Sequence, residues 1–289
     1  MQASHLVAPL FVVLWSTGFI SAKMGLAHSE PMTFLGLRFG IVAVLMAGWI
    51  WMSGARGLTA RQCGEQALIG VLVHFVYLGG VFVSIAWGIE AGLSALIVGL
   101  QPLTMALVAR IVLGERLATV QRVGMALGFV GVALVTWRKL DAGIGDPAGV
   151  GVCLIGLFGI SFGAILQKRL SADTPQRAAF AVQFGAAAAC CGVVAIVFED
   201  MMIDWAPPMI VAMTWSIFVL SFGAVTLLYV LIRRGAAANV ASMFFLVPPC
   251  TALIAWPFFG ETMGPVAICG LVLAALGVLL VNRPDTVGR

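Results

Sequence analysis

Charge is what this sequence has least of. Only 10% of its 289 residues are Asp, Glu, Lys or Arg, against about 25% in a soluble domain. Hydrophobic residues make up 62% and mean hydropathy is +1.09. No soluble packing arrangement buries that much apolar surface, so the solvent is lipid. Long polar stretches are missing too, which excludes an added soluble domain. Acids are missing from the middle of every apolar run, and residues 1–22 contain none. The six cysteines at 63, 153, 190, 191, 250 and 269 show no CxxC or Cys/His spacing. That excludes a disulfide framework or a zinc site, and neither a metal nor a cofactor is expected. The formal net charge of +4 lies in short loops rather than on one face or tail, so nucleic acid is not the partner. The first apolar run has neither a basic leader nor a cleavage site before the next one, and reads as a retained helix.

What is present is a series of apolar runs long enough to cross a bilayer, each needing about 20 residues. Ten such spans are expected, near 6–24, 32–52, 65–87, 91–113, 118–136, 147–167, 177–198, 209–232, 236–258 and 264–281. They are apolar all round and show no alternation, which favours helices over a closed barrel. Prolines 31, 147, 175 and 207 open spans, where a missing N–H costs least.

The chain repeats itself. A shift of 146 residues lays Pro248 on Pro102, Gly260 on Gly114, Glu261 on Glu115, Gly270 on Gly124, Gly277 on Gly131 and Val281 on Val135. One period near half the length argues for duplication, with repeats at 1–140 and 141–289. Lys and Arg set the orientation. With a cytoplasmic N-terminus, Arg56, Arg61, Arg110, Arg116, Arg122, Lys168, Arg169, Arg177, Arg233 and Arg234 fall inside, together with the C-terminal arginines. Only Lys23, Arg138 and Lys139 fall outside. Both termini are then cytoplasmic. Five spans per repeat is an odd number, so the second repeat enters the membrane from the opposite side. Inverted repeats place a substrate site near mid-membrane and give alternating access.

These features resemble the drug/metabolite transporter superfamily, in particular its ten-helix EamA-type members. The resemblance rests on the two Gly-Glu joints with their trailing glycines, on Trp15 through Lys23, on Pro31 through Arg38, and on Gln101-Pro102. It covers the whole chain, less faithfully in the second half, where the position of Arg38 falls near Gln183 and Pro248-Pro249 replaces Gln101-Pro102. It implies an all-α integral membrane fold, with ten helices in two inverted bundles around a central cavity. It also implies export of amino acids and related metabolites across the bacterial inner membrane, as in the YddG-like exporters.

Polar side chains that survive in lipid are candidates for the pathway. Arg38, one to two turns into the second span, either contacts a substrate carboxylate or pairs structurally. On the third span, His74, Tyr77, Val81 and Ser84 lie within about 80° of arc on an α-helix. That stripe could hydrogen-bond a zwitterion. The first span offers Trp15, Ser16 and Phe19, and the sixth offers Phe158, Ser161 and Phe162 in a similar position. Gln101 precedes Pro102, which frees a carbonyl one turn earlier, and Tyr229 belongs to an aromatic wall on the eighth span. Gly114-Glu115 and Gly260-Glu261 are expected as structural joints, each glutamate capping the helix it begins. No acid/base or metal cluster suggests an enzyme. The expected partners are the bilayer and a small molecule, amino acid or metabolite, neutral or zwitterionic and partly apolar, bound by a monomer. Import or export of other neutral metabolites or drugs, with proton coupling through His74, is the alternative.

Overall fold

A computed structural model of the chain describes residues 4–54, 57–113, 119–143, 145–171, 174–224, 227, 246–262 and 264–281. The described residues are helical, apart from turns and one isolated bridge between Ser29 and Ile203. The helices are α1 (Ser4–Leu26), α2 (Pro31–Ser53), α3 (Ala60–Ala86), α4 (Ala91–Val98), α5 (Gln101–Leu113) and α6 (Thr119–Asp141). They continue with α7 (Pro147–Leu170), α8 (Gln176–Phe198), α9 (Pro207–Ala224), α10 (Val247–Phe259) and α11 (Pro265–Val281). Seven of them are long and apolar enough to cross a membrane, and shorter apolar helices stand at the fourth, ninth and tenth expected spans.

Boundaries follow local chemistry. Thr59 and Gln62 form a reciprocal capping box at the start of α3, satisfying two otherwise orphaned N–H groups. Gly54 and Gly260 close α2 and α10 at φ of 59° and 69°, a left-handed conformation that favours glycine. The fourth span is not the single helix expected over 91–113. It breaks at Gly99 and Leu100 between α4 and α5, because Pro102 has no N–H to offer the carbonyl of Val98. Two helices also widen into π turns, at Val71–Val76 within α3 and Trp215–Ala224 within α9.

The residues cluster into two compact units that are not the two halves of the sequence. One comprises Met1–Ile20, Trp87–Gly151 and Phe222–Arg289. Within it α6 and α11 pack antiparallel through glycines. A Cβ on Gly131 would lie 2.5 Å from the carbonyl oxygen of Gly270, and one on Gly277 would lie 2.5 Å from that of Gly124. Small residues let membrane helices approach this closely. Exchanging the two repeats by the 146-residue shift turns the first contact into the second. At one end of the pair Lys139 donates to the carbonyl of Thr262 at 3.2 Å and pairs with Glu90 at 2.6 Å.

The other unit comprises Ser21–Ala86 and Val152–Ser221. Here α2 and α8, equivalents under the same shift, run antiparallel. Thr33 meets Glu199 at one end, Gly36 faces Cys191, and Trp49 lies under Arg177 at the other. The chain ends interlock at the first of these. Glu199 accepts from Met32 N, Thr33 N and Thr33 Oγ1 at 2.8, 2.7 and 2.7 Å. Glu30 in return accepts from Asp200 N and Met201 N at 2.8 and 3.2 Å. Each carboxylate satisfies backbone N–H groups of the opposite segment. Against the other side of α3 packs α7, with Gly80 and Gly156 at the contact.

Candidate functional site

In the second unit the polar residues of α2, α3, α8 and α9 gather around Phe39 and Phe184. The Arg38 guanidinium is buried and lies 5.6 Å from the centroid of the Phe39 ring. It donates from Nε and Nη2 to the Ser221 hydroxyl at 3.4 and 3.2 Å. Ser221 donates in turn to the carbonyl of Ser216 at 3.0 Å, and Ser216 shares a 2.7 Å hydrogen bond with Ser21. Among the described residues no carboxylate lies within ion-pair distance of Arg38. A buried cation held by a hydroxyl keeps most of its charge unneutralised, which is costly in lipid.

His74 also packs against Phe39, 5.7 Å between ring centroids. Its imidazole stacks on Phe184 at 4.2 Å and 19°. Its Nε2 is buried with no hydrogen-bond partner among the described residues. A free imidazole nitrogen beside an unneutralised guanidinium can serve a carboxylate or an amino group, according to its tautomer.

The stripe expected from α-helical spacing is not what forms. The π turn rotates His74 against the residues that follow it. Tyr77 is buried, and its backbone packs on Gly156 of α7, whose Cβ would lie 2.9 Å from the Tyr77 carbonyl. Ser84 donates to the carbonyl of Val81 at 2.8 Å inside its own helix. Ser161 does the same with Leu157 at 2.7 Å, flanked by the more exposed Phe158 and Phe162.

In the first unit Ser16 reaches the carbonyls of Val12 and Val247 at 2.7 and 3.3 Å. Trp15 packs against Phe11 at 5.3 Å, Phe19 is buried, and the Gln101 amide contacts Met105 Sδ at 3.8 Å. Glu261 caps a helix other than the one it precedes. Its carboxylate accepts from Ala91 N and Gly92 N at 3.0 and 3.1 Å, closing the first turn of α4 instead. Glu261 lies outside α11, which starts at Pro265, so its side chain can reach back across the unit. Gly260 supplies the left-handed turn. Gly114, Glu115 and Tyr229 lie outside the described residues.

Several participants were not among the candidates. Gln183 donates to Gln66 at 2.7 Å and to Gln167 at 3.3 Å, and Gln66 donates to Ser171 at 3.0 Å. Two fully buried amides in apolar spans are a readable signal by the same criterion that singled out Arg38. Ser221, Ser216 and Phe184 carry no such signal, because isolated serines and phenylalanines are common in membrane helices.

Comparison with known proteins gives a consistent picture. The profile of the EamA-like transporter family matches residues 2–137 and again 147–283. An uncharacterized transporter of Bacillus subtilis, YvbV, is 25% identical over 282 residues, covering 96% of this chain and 90% of its own. A probable amino-acid metabolite efflux pump of Salmonella typhimurium is 27% identical over 289 residues, covering 95% and 93%. A probable terminal-alkyne amino-acid exporter of Streptantibioticus cattleyicolor is 27% identical over 288 residues, covering 97% and 93%. One solved crystal structure superposes with a TM-score of 0.66 at 16% identity, covering 97% of this chain and 96% of that one. At that identity it speaks for the fold alone.

Proposed function

Since the chain belongs to the EamA-like transporter family of the drug/metabolite transporter superfamily, we propose that this multi-pass membrane transporter exports amino acids and related small metabolites across the bacterial inner membrane. The observation that carries the substrate class is Arg38. Its buried guanidinium is held by the Ser221 hydroxyl rather than by an acid, so a carboxylate on the cargo would find a charge waiting for it. The free Nε2 of His74 and the rings of Phe39 and Phe184 suit the remaining polar and apolar parts of an amino acid. Relatives named for efflux of amino-acid metabolites and of a terminal-alkyne amino acid support the same class.

The proposed architecture is ten transmembrane helices in two inverted five-helix repeats, 1–140 and 141–289, around a central cavity, with both termini cytoplasmic. Antiparallel pairing of α6 with α11 and of α2 with α8 supports opposite threading of the repeats, since parallel repeats would point equivalent helices the same way. Trp15, Ser16, Phe19, Arg38, His74, Tyr77, Ser84, Gln101, Ser161 and Tyr229 form the proposed pathway, acting in a monomer without a cofactor. The buried, unpartnered Nε2 of His74 also favours a second reading, in which export of a neutral metabolite is coupled to protons.

Counterflow in proteoliposomes tests both. Labelled amino acids should exchange with the wild type. Exchange of no amino acid, with uptake of uncharged metabolites that responds to a pH gradient, would replace the first reading with the second.

A further inference from the structure

At the end of the second unit where α3 and α8 begin and α7 ends, a polar cleft of about 290 Å³ opens, lined by Thr59, Arg61, Gln62, Glu65, Arg169 and Thr174. Its size is near the lower end of small-molecule sites, roughly 300 Å³. Its walls are fixed from below. The Gln66 amide on α3 is tied to Ser171 just beyond α7, and Gln183 on α8 is tied to Gln66 and to Gln167 of α7. All three helix ends are therefore joined by side chains one or two turns beneath the opening.

Two arginines and one glutamate, Glu65, line the cleft, which leaves it one net positive charge, carried by Arg169. Arg61 donates Nε to Glu65 at 2.8 Å, and its terminal nitrogens have no partner among the described residues. Arg169 has no hydrogen bond or ion pair there at all. The positive ends of two helices, beginning at Ala60 and Gln176, point the same way. The Arg169 guanidinium, with the terminal nitrogens of Arg61 in the same lining, can donate to the oxygens of a phosphate group.

The surroundings say which phosphate. Arg177, three residues beyond Thr174, lies 4.6 Å over the Trp49 ring. An indole stacked with an arginine belongs at headgroup depth. Beyond it the last turn of α2 exposes Trp51 and Met52 at 85% and 79%, apolar surface suited to acyl chains. We propose that this cleft binds the phosphate of an anionic phospholipid headgroup, a site independent of the transport pathway. The lipid would then anchor the ends of α3, α7 and α8 to the bilayer surface.

Native mass spectrometry of the full-length purified protein, equilibrated with phosphatidylglycerol or phosphatidylcholine, tests this. The wild type should retain phosphatidylglycerol in preference. Electrostatic attraction of about 1 kcal/mol per basic residue converts to roughly fivefold lower occupancy for Arg169→Gln, and more for Arg61→Gln with Arg169→Gln. Arg122→Gln, which removes the same charge from an exposed position elsewhere, should leave occupancy unchanged. Both cleft arginines are exposed, so the variants should melt with the wild type. Equal loss in Arg122→Gln, or no preference over phosphatidylcholine, would overturn the site. Displacement of the lipid by inorganic phosphate would overturn the lipid assignment in favour of a free anion.

Discussion

Replacing Glu261 by Gln removes one carboxylate oxygen and the charge from a residue only 7% exposed. Both oxygens are in use, on Ala91 N and Gly92 N. Gln offers a single acceptor, so one N–H at the start of α4 loses its partner, at about 1–3 kcal/mol for a buried group. Losing the negative charge at a helix N-terminus adds about 0.3–1 kcal/mol. The sum, about 1–4 kcal/mol, corresponds to roughly 2–7 °C in melting temperature for a chain of 289 residues. Glu65→Gln supplies the contrast, since among the described residues Glu65 pairs with the 86% exposed Arg61 alone, an interaction worth about 0.3–0.5 kcal/mol. Melting curves of the purified proteins in detergent, with transport assayed at several pH values, separate the outcomes. Melting of Glu261→Gln together with the wild type would refute the capping role. So would an intact melting temperature combined with a lost pH dependence of export, which would make Glu261 a transport carboxylate.

Three further outcomes are expected. Gly131→Leu or Gly277→Leu should sharply reduce the yield of folded protein, because a side chain there meets the opposite backbone at 2.5 Å; Gly48→Leu, which faces open space, should not. Arg38→Met should abolish amino-acid counterflow while keeping a melting temperature near the wild type, since an apolar replacement also removes the burial cost of the charge; retained transport would sever Arg38 from the cargo. Gln183→Leu should cost about 1 kcal/mol by removing the 2.7 Å donor to the Gln66 carbonyl, which keeps only the 3.4 Å hydrogen bond from Ser171, read as a lower melting temperature without altered selectivity in counterflow.

Patterns that span one helix were legible in the sequence. The helix starts at Pro31 and Pro207 stand where hydropathy and the placement of proline predict. The break between α4 and α5 was half legible, since Pro102 announces a freed carbonyl but not whether the helix bends or stops. The π turn at Val71–Val76 was not, because its residues are ordinary helix formers and the extra residue per turn is set by packing. That one insertion shifts His74 out of the α-helical arc that Tyr77, Val81 and Ser84 still share. Caps that act across the chain were also hidden. Glu199 serves Thr33 and Glu261 serves Ala91 through the fold, so neither spacing nor local propensity points to them. Arg38 was singled out by its cost in lipid alone, whereas its partner Ser221 needed the packing of α9 to be seen.

Alternating access in this fold requires the two repeats to cross the membrane in opposite senses. In a chain with its native cysteines replaced, single cysteines at Gly57 and Met202 occupy nearly equivalent loops, after α2 and after α8. In intact cells a membrane-impermeant maleimide should label Met202→Cys directly and Gly57→Cys only after permeabilisation. Labelling of both from the same side would contradict the inverted arrangement.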